Sequence, residues 1–199
     1  WTTDTVDNGL TQNETVAALE DRTGRIWVAT ENRGITRLDG SQATVFNASN
    51  GLPSDVGYAL AEDGAGAVWI ATGEGIARIE GERIQVFSTE AGLPDGAAFS
   101  LAVAPDGRLY VGTEEGLYVG RGGRFEPVLA DFPKVAIASL QIDEQGSVWI
   151  GTVTRGLMRL GDRGLERFDT TDGLPNNRVA SLFADREGSL WVGTNAGLV

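Results

Sequence analysis

The sequence predicts an all-β protein, a β-propeller of four-stranded antiparallel blades. Three observations predict it. A unit of about 40 residues recurs five times. Each unit holds four short runs of β-branched and aromatic residues bounded by turn residues. The 3.6-residue apolar spacing of helical repeats is absent, and leucine-rich units are shorter, at roughly 20–29 residues.

The repeat is read from fixed offsets. One aromatic per copy falls at Trp27, Trp69, Tyr110, Trp149 and Trp191, in steps of 42, 41, 39 and 42 residues. Eighteen residues earlier stand Gly9, Gly51, Gly92, Asp131 and Gly173. Three residues later stands a threonine in every copy: Thr30, Thr72, Thr113, Thr152 and Thr194. The spacing sets approximate blades at 7–47, 48–87, 88–128, 129–169 and 170–199 within one propeller domain over 1–199.

Taken in order, Trp1 to Val6 is β-prone and has the position of a last strand without its own unit. The first strands of the units are Thr15 to Glu20, Gly57 to Glu62, Ala98 to Val103, Ile137 to Ile142 and Val179 to Ala184. Second strands carry the aromatic, from Ile26, Val68, Leu109, Val148 and Leu190. Third strands follow a glycine, at Ile35 to Leu38, Ile76 to Ile79, Leu117 to Val119 and Leu157 to Leu160, and the last begins at Gly197. Fourth strands are Thr44 to Phe46, Ile84 to Phe87, Phe125 to Val128 and Leu165 to Phe168.

Between first and second strands lies a turn opened by Asp21, Asp63, Asp143 or Asp185 and closed by Gly24, Gly66, Gly146 or Gly188. Aspartate bonds its own turn backbone and glycine supplies the positive φ, so these residues are structural. In the third copy the turn is Ala104-Pro105-Asp106-Gly107. Four residues before the turn opener the side chain is small: Ala17, Ala59, Ser100, Ser139 or Ser181. That suits the crowded innermost strand of a blade. The second-strand aromatics, Trp27, Trp69, Tyr110, Trp149 and Trp191, are expected to fill the seams between blades, where each buries about 150–250 Å².

Composition narrows the function. The net charge of −12 disfavours nucleic acid and anionic membrane surfaces as partners. No apolar run approaches the roughly 20 residues of a membrane helix, so direct membrane insertion is not expected. With neither cysteine nor histidine, disulfides, thiolate metal sites and histidine acid–base or metal chemistry are excluded within these residues. No cofactor or metal is expected.

The motifs resemble those of the two-component regulator propeller repeats of bacterial sensor proteins. The pattern is met by Gly173-Leu174-Pro175 with Val179, by Asp185 to Gly188, by Trp191-Val192-Gly193-Thr194 and by Gly197-Leu198. Gly34-Ile35-Thr36-Arg37-Leu38, Gly75-Ile76-Ala77-Arg78-Ile79 and Gly156-Leu157-Met158-Arg159-Leu160 supply its last element in other copies. Departures are Gly9-Leu10-Thr11 without the proline, Asp131-Phe132-Pro133 without the glycine, and Tyr110 for tryptophan. The resemblance implies a periplasmic or extracellular sensor region of a histidine kinase or diguanylate cyclase. It also implies a saccharide-like or other small ligand, and a homodimer through the parent protein. Kinase or cyclase activity would then lie in separate output domains, and these residues themselves are expected not to be an enzyme. The alternatives are a protein-interaction scaffold and, disfavoured by the missing histidine, a propeller lyase or hydrolase. Five repeats fit either a closed five-bladed ring, its last blade completed by 1–6, or a slice of a larger propeller, for example seven-bladed.

Strand alternation places the Gly-Leu-Pro loops and the loops between second and third strands on one face, the top, and the Asp-x-x-Gly hairpins on the bottom. The top loops vary between copies while the framework repeats, as expected where sites are grafted onto a scaffold. Their polar side chains Asn32, Arg33, Glu74, Glu115, Arg155 and Asn195 are the candidate ligand-binding residues. They suit sugar hydroxyls or an acidic sugar's carboxylate. The alternative for each is a solvated loop residue.

Overall fold

The computed structural model of the chain describes residue 10 and residues 14–185 and 187–199. The predicted strand at Trp1 to Val6, and with it the completion of a fifth blade, lies outside the described residues, as do Gly9 and Thr11. The described chain is all-β: nineteen strands form five antiparallel sheets whose order follows the chain. The fold is that of a β-propeller, each sheet one blade.

In the first compact unit, which ends at Ala98, blade 1 is β1 (Thr15–Glu20), β2 (Ile26–Thr30), β3 (Ile35–Asp39) and β4 (Gln42–Phe46). Blade 2 is β5 (Gly57–Glu62), β6 (Val68–Thr72), β7 (Gly75–Glu80) and β8 (Arg83–Phe87). In the second unit, blade 3 is β9 (Ala98–Val103), β10 (Leu109–Thr113), β11 (Gly116–Arg121) and β12 (Arg124–Pro127). Blade 4 is β13 (Ile137–Ile142), β14 (Val148–Thr152), β15 (Leu157–Gly161) and β16 (Gly164–Phe168). Blade 5 has three strands, β17 (Val179–Ala184), β18 (Leu190–Thr194) and β19 (Gly197–Leu198). The first strands have the predicted bounds, and the others differ at their ends by at most about two residues.

The bottom turns form as their chemistry requires. The Gly24 amide donates to the Asp21 carbonyl at 2.8 Å, and Gly24 sits at φ +83°. The Asp21 carboxylate caps the same turn, accepting from the amides of Thr23 at 2.9 Å and Arg25 at 3.1 Å. Asp63, Asp143 and Asp185 repeat the arrangement.

The small first-strand residues have a specific partner. Ala17 pairs with Ala29 and Ala59 with Ala71, whereas Ser139 pairs with Gly151 and Ser181 with Gly193. A Cβ on Gly151 would stand 2.2 Å from the Ser139 hydroxyl and 2.8 Å from Val179 Cγ1 of the next blade. The small volume is thus divided between neighbouring strands and blades, and only some divisions fit.

The core lies between blades. In the first unit Trp27, Ala29, Ile35 and Phe46 of blade 1 pack with Val68, Ile70, Ala77 and Ile79 of blade 2. In the second unit Tyr110 and Leu117 pack with Ile137, Val148, Ile150 and Met158 of blade 4. Trp149, Leu157, Val179 and Val192 join blades 4 and 5. Trp27, Tyr110 and Trp149 therefore sit at seams. Trp191 does not: it is 41% exposed, and Phe183 in the same blade is 64% exposed. Among the described residues blade 5 has three strands and no counterpart of Phe168 over its indole.

Candidate functional site

The top loops owe their shape to the threonine that recurs after each aromatic. Each hydroxyl donates to a glycine carbonyl across the loop: Thr30 to Gly34 at 2.8 Å, Thr72 to Gly75 at 3.0 Å, Thr113 to Gly116 at 3.0 Å, Thr152 to Gly156 at 2.7 Å and Thr194 to Gly197 at 2.8 Å. The same oxygen accepts an amide from inside the loop, at 3.2 Å from Arg33, Glu74, Glu115 and Ala196 and at 2.8 Å from Arg155. Thr30, Thr72, Thr113 and Thr152 are almost wholly buried. Each loop backbone is held from within while its side chains project outward.

These loops are also tied to the Gly-Leu-Pro loops, as expected for one shared face. Gly34 donates to the Asp55 carbonyl at 2.7 Å, Gly75 to Gly96 at 2.9 Å and Gly156 to Asn177 at 2.8 Å. Gly75 needs its positive φ of +85° and its missing side chain there, since a Cβ would lie 2.6 Å from the Phe87 carbonyl oxygen.

Asn32, Arg33 and Glu74 belong to the first unit, and Glu115, Arg155 and Asn195 to the second. All six are exposed. Glu115 accepts from Lys134 Nζ at 3.1 Å, a pair too exposed to contribute more than about 1 kcal/mol. Among the described residues no side chain of the six bonds another of them. Glu74 lines a cavity of 420 Å³ with Pro53, Val86, Ser88, Thr89 and Asp95. Ser88, Thr89 and Asp95 stand at no repeated position of the motif. Their signal is weak: they flank Gly92-Leu93-Pro94 just outside the repeated triplet.

The predicted structural residues prove to be one device. The aspartate that opens each bottom turn also accepts the indole N–H six residues on. The bond is 2.8 Å for Asp21–Trp27, 3.0 Å for Asp63–Trp69, 3.0 Å for Asp143–Trp149 and 2.8 Å for Asp185–Trp191. A phenylalanine of the fourth strand and an arginine of the third close on the ring. Trp27 stacks on Phe46 at 5.7 Å, and Arg37 lies 5.6 Å from its centroid. Trp149 has Phe168 at 5.9 Å and Arg159 at 5.3 Å. Burial pushes the Asp21 carboxyl up, but hydrogen bonds from Thr23, Trp27 and Arg25 outweigh it and hold it well below the carboxylate range. Asp63 is likewise lowered: against burial stand the Ala67 amide, the Trp69 indole and Arg78. These carboxylates are consumed by structure. Among the described residues no group of three acidic side chains is placed to hold a metal ion, and no helix is long and apolar enough to cross a membrane.

Comparison with known proteins agrees with the blades. The two component regulator propeller family profile matches residues 9–32 and 173–196. No curated protein sequence matches. The extracellular domain of a hybrid two-component system protein of B. thetaiotaomicron superposes with a TM-score of 0.80 at 22% identity, over 95% of this chain and 27% of that one. The chain thus spans about a quarter of the extracellular domain it matches. Virginiamycin B lyase of Staphylococcus aureus gives a TM-score of 0.78 at 14% identity, over 96% of this chain and 71% of that one. A gluconolactonase of Xanthomonas campestris gives 0.65 at 18% identity, over 92% and 70%.

The last two likenesses correct the expectation that these residues are not an enzyme. Propellers of this fold, matched over nearly the whole chain, include catalysts. The missing histidine was too narrow a ground. It removes the mechanisms that need an imidazole, while a propeller can equally present aspartate, glutamate, arginine and tyrosine. The fold is thus shared with catalysts, and the chain is a β-propeller in which two segments, 9–32 and 173–196, match the two component regulator propeller profile.

Proposed function

We propose that the chain is an extracytoplasmic ligand-sensing propeller that recognises a saccharide-like or other small polar ligand at its top loops and passes the signal to a separate output domain. The single observation that carries the reading is the loop construction. Five threonines, four of them buried, hold the top-loop backbones, and the outward side chains Asn32, Arg33, Glu74, Arg155 and Asn195 are left free of hydrogen bonds among the described residues. Held donors and acceptors bind with less ordering cost than mobile ones. The depression at Glu74, with the hydroxyls of Ser88 and Thr89 and the carboxylate of Asp95, offers hydroxyl-binding chemistry beside the apolar walls of Pro53 and Val86.

Signal transfer would proceed by rigid-body displacement or dimer rearrangement, since closely packed blades offer little internal bistability. Calorimetric titration with neutral and acidic oligosaccharides tests this. A saturable signal that Glu74→Ala weakens about tenfold, the loss of one hydrogen bond to a charged group, is expected. No heat from any saccharide class refutes it. The second reading is a catalytic propeller, favoured by the lyase and gluconolactonase likenesses. It predicts turnover of an added lactone, read as acid release over the uncatalysed rate.

A further inference from the structure

Blade 3 departs from the others at every position of the aspartate–indole device, and the departures are coordinated. Ala104 stands for the turn aspartate and Tyr110 for tryptophan. In the strand register Arg37, Arg78 and Arg159 lie opposite the tryptophans, whereas Val119 lies opposite Tyr110. Phe46 and Phe168 pair with the start of the third strand, where blade 3 has Val128 bonded to Leu117. The carboxylate reappears two residues later as Asp106. It accepts from the Arg108 amide at 3.0 Å and from Arg108 Nε at 2.7 Å, with that guanidinium 5.6 Å from the Tyr110 ring centroid.

The rearrangement opens a cavity. Gly120 occupies the register position of Leu38, Ile79 and Leu160. Phe125 folds over it, so that a Cβ on Gly120 would lie 2.3 Å from the ring. What remains is a space of 430 Å³ at the bottom of the blade, lined by Arg108, Val119, Gly120, Arg121, Arg124, Phe125 and Glu126. Its lining carries three guanidinium groups against one carboxylate, on a chain of net charge −12.

The charges are placed against the interest of the fold. At the closing pair of the hairpin between third and fourth strands, blade 1 has Asp39 opposite Gln42, blade 2 has Glu80 opposite Arg83, and blade 4 has Gly161 opposite Gly164. Blade 3 has Arg121 opposite Arg124. Like charges directly opposite each other destabilise a sheet. Arg121 donates to the Asp106 main-chain carbonyl and shares the Asp106 carboxylate, which Arg108 already bonds, as its nearest opposite charge. The Arg124 side chain has no ion pair or hydrogen bond among the described residues, and Glu126 pairs with neither Arg121 nor Arg124.

We propose that the hairpin end of blade 3 is an anion-binding site, in which Arg121 and Arg124 hold the oxyanion of a small acidic molecule while its apolar body lies against Val119 and Phe125. Two arginines offer fork-shaped donor sets matched to carboxylate and phosphate. The repulsion between them is relieved when an anion enters. The site lies at the opposite end of the strands from the top loops and does not depend on the function proposed for them.

The test is a nuclear magnetic resonance titration of the whole chain with benzoate, inorganic phosphate and, as neutral control, benzyl alcohol. Benzoate binding should be saturable and move the amides of Gly120, Arg121, Gly122 and Phe125. Phosphate should bind more weakly if the apolar wall contributes, and benzyl alcohol should not bind. Arg124→Glu should abolish benzoate binding while raising the urea midpoint, because it turns a repulsive cross-strand pair into an attractive one. Arg124→Gln, which removes the charge without adding one, should weaken binding about tenfold and serves if the glutamate variant does not fold. No saturable shift at these amides, or equal benzoate affinity in Arg124→Gln, overturns the site.

Discussion

The sharpest consequence of the repeated device is that the same motif should differ in energetic weight from blade to blade. Consider Asp21→Ala and Asp185→Ala. In both blades the indole N–H donates to the aspartate at 2.8 Å, so the bonds are equal in geometry. Burial separates them. Trp27 is 2% exposed and Asp21 3% exposed, whereas Trp191 is 41% exposed. Removing Asp21 strands a buried indole N–H, at a cost of about 1–3 kcal/mol. It also removes the acceptor for Thr23 and Arg25, whose guanidinium bonds Asp21 at 2.7 Å. Breaking such a buried charged network brings the total to roughly 3–5 kcal/mol. In Asp185→Ala the indole N–H turns to water, and the remaining cost is the turn cap, about 1 kcal/mol. Urea denaturation followed by far-UV circular dichroism gives both losses from the midpoints at constant slope. Equal losses would refute the argument that burial, not the motif, sets the value of the device.

Four further outcomes are expected. Gly193→Ala should cost about 1–3 kcal/mol, because its Cβ would meet the Ser181 hydroxyl at 2.2 Å, and Ser181→Ala should rescue it by recreating the Ala17–Ala29 pairing. Gly151→Ala should not be rescued by Ser139→Ala, since Val179 Cγ1 still lies 2.8 Å away, and the two double mutants compared by denaturation check this. Thr152→Val keeps the shape but removes both loop bonds of a buried hydroxyl, and it should cost about 1–3 kcal/mol by the same measurement. Finally, the folded-state pKa values of Asp21 and Asp63 lie below those of the unfolded chain. Their contribution is therefore complete above the ordinary aspartate value of about 3.9 and is lost as pH falls toward the depressed values. Midpoints measured from pH 6 downward should hold to about pH 4 and then decline. A stability that rises on acidification would contradict the sign.

Much of this molecule was legible in the chain. The strands came within about two residues because residues of definite backbone preference bound them, most clearly the aspartate that opens four of the bottom turns and the glycine at positive φ that closes all five. The candidate site was legible only as a set of variable loops. Asn32, Arg33, Glu74, Glu115, Arg155 and Asn195 are where the loops lie, but Ser88, Thr89 and Asp95 beside Glu74 are not repeat positions. The recurring threonine shows no role in the chain alone, because its two hydrogen bonds exist only once the loop has turned.

The repeat by itself determined the all-β blades, their strand order and the face on which the variable loops stand, because strand period and turn chemistry are local. Tertiary structure decided what each repeated residue is worth. The aspartate and indole meet only across a formed hairpin. Whether their bond is buried depends on the sheet that covers it, as Trp27 and Trp191 show. The arginine pair of blade 3 is likewise ordinary in the chain and becomes a site only when the register sets Arg121 opposite Arg124 and Gly120 opens the space beside them. Burial and charge proximity are properties of neighbours, and neighbours are supplied by the fold.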